Sequence, residues 1–256
     1  MLGEYQYHVH LNRGDVGRYV LLPGDPGRCE MIASHLENGR FVSSNREFTT
    51  YTGELDGERV SVVSTGIGGP SAAIVMEELI KVGADTFVRV GTCGGMNRNV
   101  TGGDLVIATA AVRAEGTSRE YLPVEYPAAA NFEVVCALAE AAEHCGTRRH
   151  IGVVQCKDSF YGQHAPETMP VADELRYKWN AWIAAGCLAS EMESAAVFSV
   201  AAVRGVRAGT VLLAIMNKDR RKLGLPDEEC YDIDRAIRVG VAAVRGLIQK
   251  DRKGEF

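Results

Sequence analysis

Two glutamates, Glu191 and Glu193, sit one residue apart in the small, apolar run "LASEMESAAVF" (residues 188–198). Carboxylates avoid burial because desolvation is costly, so a pair of them here asks for a partner. Glu193 lies near the start of the helical run "SAAVFSVAAV", where the dipole favours negative charge, and helix capping is one use for it. Arg89 is the converse case. It interrupts "TFVRVGT", a run that reads as buried on both faces, and a buried arginine needs an anion. That anion is either an internal Asp or Glu or a bound ligand. Arg28 and Arg46 can converge with Arg89 or pair at the surface; together the three suit a phosphate, whose oxygens the guanidinium fork matches bidentately. Three glycine-containing turns offer backbone amides to the same anion: "LLPGDPGR" with Gly24, "STGIGGPS" with Gly66, Gly68 and Gly69, and "VRVGTCGG" with Thr92, Gly94 and Gly95. "GIGGPS" fails the dinucleotide fingerprint, since Ser71 takes the third glycine place and no acidic residue closes a second strand about 20 residues on. No Ser–His–Asp or Cys–His arrangement is evident. His8 and His10 have no third metal ligand near them.

These residues must be positioned by a sheet. Apolar and β-branched runs start at Tyr19, Arg59, Thr86, Asp104, His150 and Gly209, nearly continuous as in strands covered on both faces. Helical spacing appears in "PSAAIVMEELIKVG", opening near Pro70 and closing at Gly83, in "FEVVCALAEAAEHCG", and in "DIDRAIRVGVAAVRGLIQK". The pattern predicts α/β architecture: a single domain over residues 1–256, an α/β/α sandwich around a central mixed sheet. The polar tail "DRKGEF" is expected to fray. Hydrophobic residues are 46%, charged residues 24% and the net charge −5, so no basic stripe invites nucleic acid. The N-terminus lacks a signal-length apolar core and no run is long enough to span a membrane. Seven cysteines without a CxxC pair read as reduced thiols in a cytoplasmic protein.

"PGDPGR", "REFTT", "STGIGGPS", "RVGTCGG", "DSFYGQ" and "ASEMES" occur in the order and spacing of the nucleoside phosphorylase-I family, and the chain resembles most its uridine phosphorylase branch. The resemblance runs from His8 to the C-terminal helix. It implies phosphorolysis without a cofactor, uridine plus phosphate giving uracil and ribose 1-phosphate. Gly24, Arg28, Arg89 and Thr92 are implied at the phosphate, with Arg46 completing that site from a neighbouring subunit. Glu193 would accept hydrogen bonds from the ribose 2′- and 3′-hydroxyls, Met192 would pack on the sugar, and His8 would reach the 5′-hydroxyl across the interface. The implied assembly is a hexamer built as a trimer of dimers. Glu47, Ile67 and Ser71 match positions that hold potassium between paired subunits in some relatives.

The loop "SFYGQHAPE" resembles the pyrimidine-reading loop. Phe160 would stack on the base and the Gln163 amide would pair with uracil O2 and N3; Gly94, Glu191, Ile215 and Lys218 complete the implied base site. The catalytic set is Arg89, Gln163 and Glu193, and Arg89→Ala is expected to abolish turnover while leaving the fold intact. Ala165 stands where relatives carry an arginine, so the donor to uracil O4 is missing locally. His164, Lys218 and Arg220 are the candidates to replace it, and the sequence does not choose. Purine-cleaving relatives carry an aspartate where Asn217 appears here, with Asp219 nearby. A purine nucleoside phosphorylase, a nucleosidase that uses water, and a non-catalytic nucleotide-binding module stay open as alternatives.

Overall fold

The computed structural model describes residues 5–254. Its strands are β1 (Tyr19–Pro23), β2 (Glu37–Asn45), β3 (Phe48–Leu55), β4 (Glu58–Val63), β5 (Thr86–Gly95), β6 (Leu105–Ala114), β7 (Ala128–Ala129), β8 (Arg149–Lys157), β9 (Ala189–Glu191) and β10 (Arg207–Met216). The helices are α1 (Arg28–Ala33), α2 (Gly69–Lys81), α3 (Thr117–Tyr121), α4 (Phe132–His144), α5 (Phe160–His164), α6 (Ala172–Ala184), α7 (Ser194–Arg204), α8 (Lys218–Lys222) and α9 (Asp234–Lys253). Each apolar run named from the sequence is a strand. The β2–β3 hairpin was not legible as one, because β2 is mostly exposed and carries no continuous apolar run.

All strands belong to one mixed sheet in the order β10-β6-β8-β9-β5-β1-β4-β3-β2, with β7 beside β6. β5 is its hub. It runs parallel to β1 on one side and to β10 on the other, and its last residues, Gly94 and Gly95, turn to pair antiparallel with β9. The β10–β5 pairing closes β5, β10, β6, β8 and β9 into a ring. Alternation along the strands feeds two apolar cores. Val20, Leu22, Phe87, Leu212 and Ala214 meet α2 and α7 on one face. Leu21, Val88, Val90, Val211 and Leu213 meet α1, α4 and α9 on the other. The α/β/α layering expected from the sequence is therefore present.

The last helix is longer than its composition suggests. Asp251 accepts from the Tyr19 hydroxyl at 2.5 Å and from Arg207 at 2.8 and 2.5 Å, so residues 251–253 are helical rather than frayed, and the helix ends where Gly254 turns left-handed. Burial first, and then the Asp251 bond, push the Tyr19 phenol up to about 12. Residues 255 and 256 of the same tail lie outside the described residues. Among the described residues no helix is long and apolar enough to cross a membrane.

Candidate active site

The glycine turns that end β1 and β4 lie side by side: the Thr65 amide donates to the Pro23 carbonyl at 2.8 Å, and a β-carbon on Gly24 would stand 3.4 Å from the Gly66 carbonyl. Beneath them lies Arg89, only 3% exposed in the middle of β5. Its Nε donates to Glu191 at 3.2 Å and its Nη2 to Glu193. Its third nitrogen, Nη1, is buried with no acceptor among the described residues, and a β-carbon on Gly24 would stand 4.0 Å from it. The two readings of Arg89 thus hold together: internal carboxylates fix two edges of the fork, and the third is aimed at the glycine turn.

The two glutamates divide their work. Glu191 accepts from the backbone N–H groups of Glu193 and Ser194 at 3.0 Å, so it caps α7 as well as clamping Arg89. Glu193 makes no side-chain cap. Its Oε1 accepts from the Gly68 amide at 2.6 Å, which Gly68 presents by adopting φ = 93°, a conformation costly for any residue with a β-carbon. A carboxylate offers about four acceptor positions, so Glu193 keeps capacity for two further donors. Burial raises the Glu193 pKa against the pull of Arg89. Burial likewise works against the charge on Arg89, but the two carboxylates outweigh it and hold the guanidinium above its ordinary value.

Other expected residues surround this floor. Thr92 is three residues along β5 from Arg89, Arg28 opens α1 just past the Gly24 turn, and Met192 separates the two glutamates. Arg46 is exposed at the tip of the β2–β3 hairpin with φ = 53°, and the next residue, Glu47, lies against the Gly66 turn. His8 docks beside that hairpin: Asn45 donates to its carbonyl at 2.7 Å, and Glu78 holds its Nδ1 at 2.6 Å and its amide at 2.9 Å. Ser71 donates to Glu47 at 2.7 Å, a bond that leads in lowering the Glu47 pKa. Ile67 is 79% exposed on the same turn.

A cavity of about 880 Å³ opens beyond Gly94. Gln163 lines it, its Oε1 accepting from Ser190 Oγ at 2.6 Å. Ser190 pairs with Gly94 across β9 and β5 and directly precedes Glu191, so one short strand joins cavity and charged floor. Lys218 lines the cavity too, as an exposed residue. Alternation along β10 places Met216 on the cavity wall and packs Ile215, the residue expected there, into the opposite core. Phe160 is half exposed and packs on the His164 ring (centroids 4.2 Å apart) without lining the cavity.

The candidates for the missing base donor separate. Arg220 spends its guanidinium on the carbonyls of Pro226 and Arg98. Burial, then the charges of Lys218 and Lys157, depress His164 to about 4, so at neutral pH it carries no charge. Asn217 is fully buried with its side chain on the Asn97 and Val100 carbonyls, turned from the cavity. Asp219 does line the cavity, held by the Trp179 indole at 2.9 Å. The residue missed from sequence is Lys157. It lines the cavity at 7% exposure, its Nζ donates to Ser190 Oγ at 2.7 Å, and burial lowers its pKa although Glu191 opposes the shift. Its signal was present: a lysine closing the apolar strand "HIGVVQCK" poses the same question as Arg89.

Residues 18–243 match the model of the phosphorylase superfamily. The chain is 57% identical to a uridine phosphorylase of Treponema pallidum (strain Nichols), over 97% of this chain and 96% of that one. It is 38% identical to the uridine phosphorylase of Escherichia coli (strain K12), over 94% and 98%. It is 39% identical to a guanosine phosphorylase of Halorubrum lacusprofundi, over 94% and 99%.

Proposed function

The chain belongs to the phosphorylase superfamily, and on that premise we propose that it is a uridine phosphorylase, a pentosyltransferase that converts uridine and phosphate to uracil and ribose 1-phosphate. The observation that carries this reading is the fork of Arg89, with two edges on Glu191 and Glu193 and the third free beside Gly24. An anion seated on the Gly24 turn and a sugar diol seated on Glu193 would share that one guanidinium, which places the nucleophile against the anomeric carbon. Arg28 and Thr92 would hold further phosphate oxygens. Catalysis is then positioning and electrostatics: phosphate charge beneath the sugar stabilises its oxocarbenium character, and Gln163 steadies the charge that moves into the base.

Arg46, exposed and with no hydrogen bond or ion pair among the described residues, and His8, held beside the same hairpin, are assigned to a neighbour's site, in a dimer or a hexamer of three dimers. The exposed Ile67 and the Glu47–Ser71 pair beside it support that edge as the contact. Hard oxygen donors of this kind fit potassium, which Glu47, Ser71 and Ile67 would hold at the boundary. The seven free cysteines support a cytoplasmic setting.

The 57% relative favours uridine, but relatives at 38% and 39% bear uridine and guanosine names alike. Asp219 on the cavity wall keeps a purine reading as the competitor. A panel of uridine, thymidine, inosine and adenosine, with and without phosphate, separates the cases. Uridine should exceed inosine in kcat/KM by at least about a hundredfold, the scale a hydrogen-bonding site reaches. Free ribose made without phosphate would mean a nucleosidase, comparable rates on inosine a purine enzyme, and no turnover a binding module.

A further inference from the structure

We propose that Lys157 is a catalytic residue of this site, donating from Nζ to a carbonyl oxygen of the departing pyrimidine in place of the arginine that Ala165 replaces. The proposal rests on the uridine reading above. Three observations carry it. Lys157 is a buried cation with no carboxylate within ion-pairing distance among the described residues, and its one recorded hydrogen bond uses one of three N–H groups. It lines the cavity beside Gln163, tied to it through the hydroxyl of Ser190. The other cations proposed for this task are committed elsewhere, neutral, or, for Lys218, exposed to solvent that would screen the charge. A structural lysine would be better replaced by an apolar residue in such a place.

In the step, the C1′–N1 bond breaks with its electron pair on the base, while a phosphate oxygen forms the new bond to C1′. The charge spreads onto the base carbonyls, where the ammonium of Lys157 meets it. The proton that ends on uracil N1 comes from the phosphate through solvent, and Lys157 keeps its own.

The test compares uridine with 5-fluorouridine, whose withdrawing fluorine already stabilises the leaving anion. Lys157→Met should lose about a hundredfold in kcat on uridine, as when one preorganised donor to a developing charge is removed, and at least about fivefold less on 5-fluorouridine. Lys157→Arg should restore part of the uridine rate. Equal losses on the two substrates, or a Lys157→Met enzyme with near-normal kcat, would overturn the proposal. Should Lys157→Met fail to fold, Lys157→Gln is read the same way, and if neither folds the residue is structural and the proposal fails. Wild-type enzyme that leaves uridine untouched in phosphate buffer overturns the uridine reading instead, and the two failures are therefore distinct.

Discussion

The floor under the glycine turns and the rim around the cavity are built from opposite materials. The floor is strand and strand-end. Arg89, Glu191 and Glu193 are each at most 5% exposed, and their charges cross-link β5 to the start of α7 and to the turn that opens α2. The rim is made of short or exposed helices: neither α6 nor α8 has a buried residue, and α5 buries only Gly162. In the proposed reaction the phosphate and the sugar stay alike whichever nucleoside is cleaved, so a floor that serves them can be rigid and deeply buried. The base is what varies, and on the proposed reading it would meet the part with least packing to defend. Local stability follows packing, so changes on the floor should damage fold and activity together, and changes on the rim should alter selectivity while the fold persists.

Arg89→Ala gives the largest effect and corrects the expectation that the fold survives intact. It leaves Glu191 and Glu193 buried without their cation, which commonly costs about 3–5 kcal/mol, a Tm drop on the order of 10 °C for a chain of this size. Phosphorolysis should be lost below detection. A variant with unchanged Tm and ordinary phosphate affinity would show that the floor is not a coupled unit.

On the proposed reading Arg46 completes the floor from outside, and here the comparison can be broken. Arg46→Ala and Glu193→Ala should each be nearly inactive. If Arg46 serves a neighbour's site, random mixing gives about half heterodimers with one intact site of two, so co-refolded protein should regain about one quarter of wild-type activity. No recovery, after subunit exchange has been demonstrated by mass spectrometry, would return Arg46 to its own surface.

How much was legible follows the same division. Arg89, Glu191 and Glu193 announced themselves because each sits in a run whose other members are apolar, and a charge there has few explanations. The strands that carry them were legible for the same reason. The exchange of capping from Glu193 to Glu191 was not, since residues two apart at a helix start can both reach its amides. Nor was the turning of Ile215 away from the cavity and Met216 toward it, because a strand buried on both faces carries no alternation to read. On the rim, the apolar stripe of α6, with Leu175, Trp179, Trp182 and Ile183 at i, i+4, i+7 and i+8, went unread beside its many charged residues. Lys157, at the buried end of β8, was passed over although the argument used for Arg89 applies to it unchanged.

Gln163→Ala tests the rim directly. Removing an amide proposed to meet two base atoms would leave polar groups unpaired, at about 1–3 kcal/mol each, and the charge on the base grows in the transition state of the proposed reaction. The fall in kcat should therefore exceed the rise in KM, by about tenfold or more, with Tm changed by no more than a degree or two. A fall in Tm like that of Arg89→Ala would erase the distinction between the two regions.

The smallest effect concerns His164, and it sharpens the comparison through pH. Its pKa stands at about 4 against an ordinary 6.5, because burial comes first and the charges of Lys218 and Lys157 add to it. The unfolded chain therefore takes up a proton near pH 6.5 that the folded chain refuses until near pH 4. Stability from this group is complete above pH 6.5 and is lost as pH falls from there toward 4. His164 is partly exposed, so solvent screening keeps the contribution below about 1 kcal/mol. His164→Gln removes the titration and keeps a polar side chain at the rim, so its Tm should fall less than that of the wild type between pH 7 and pH 4.5. The measurement is a pair of melts for each protein at those two values, with phosphate absent. Equal falls would mean that acid acts elsewhere, and that the cations at the cavity wall do not impose on one another in the folded protein.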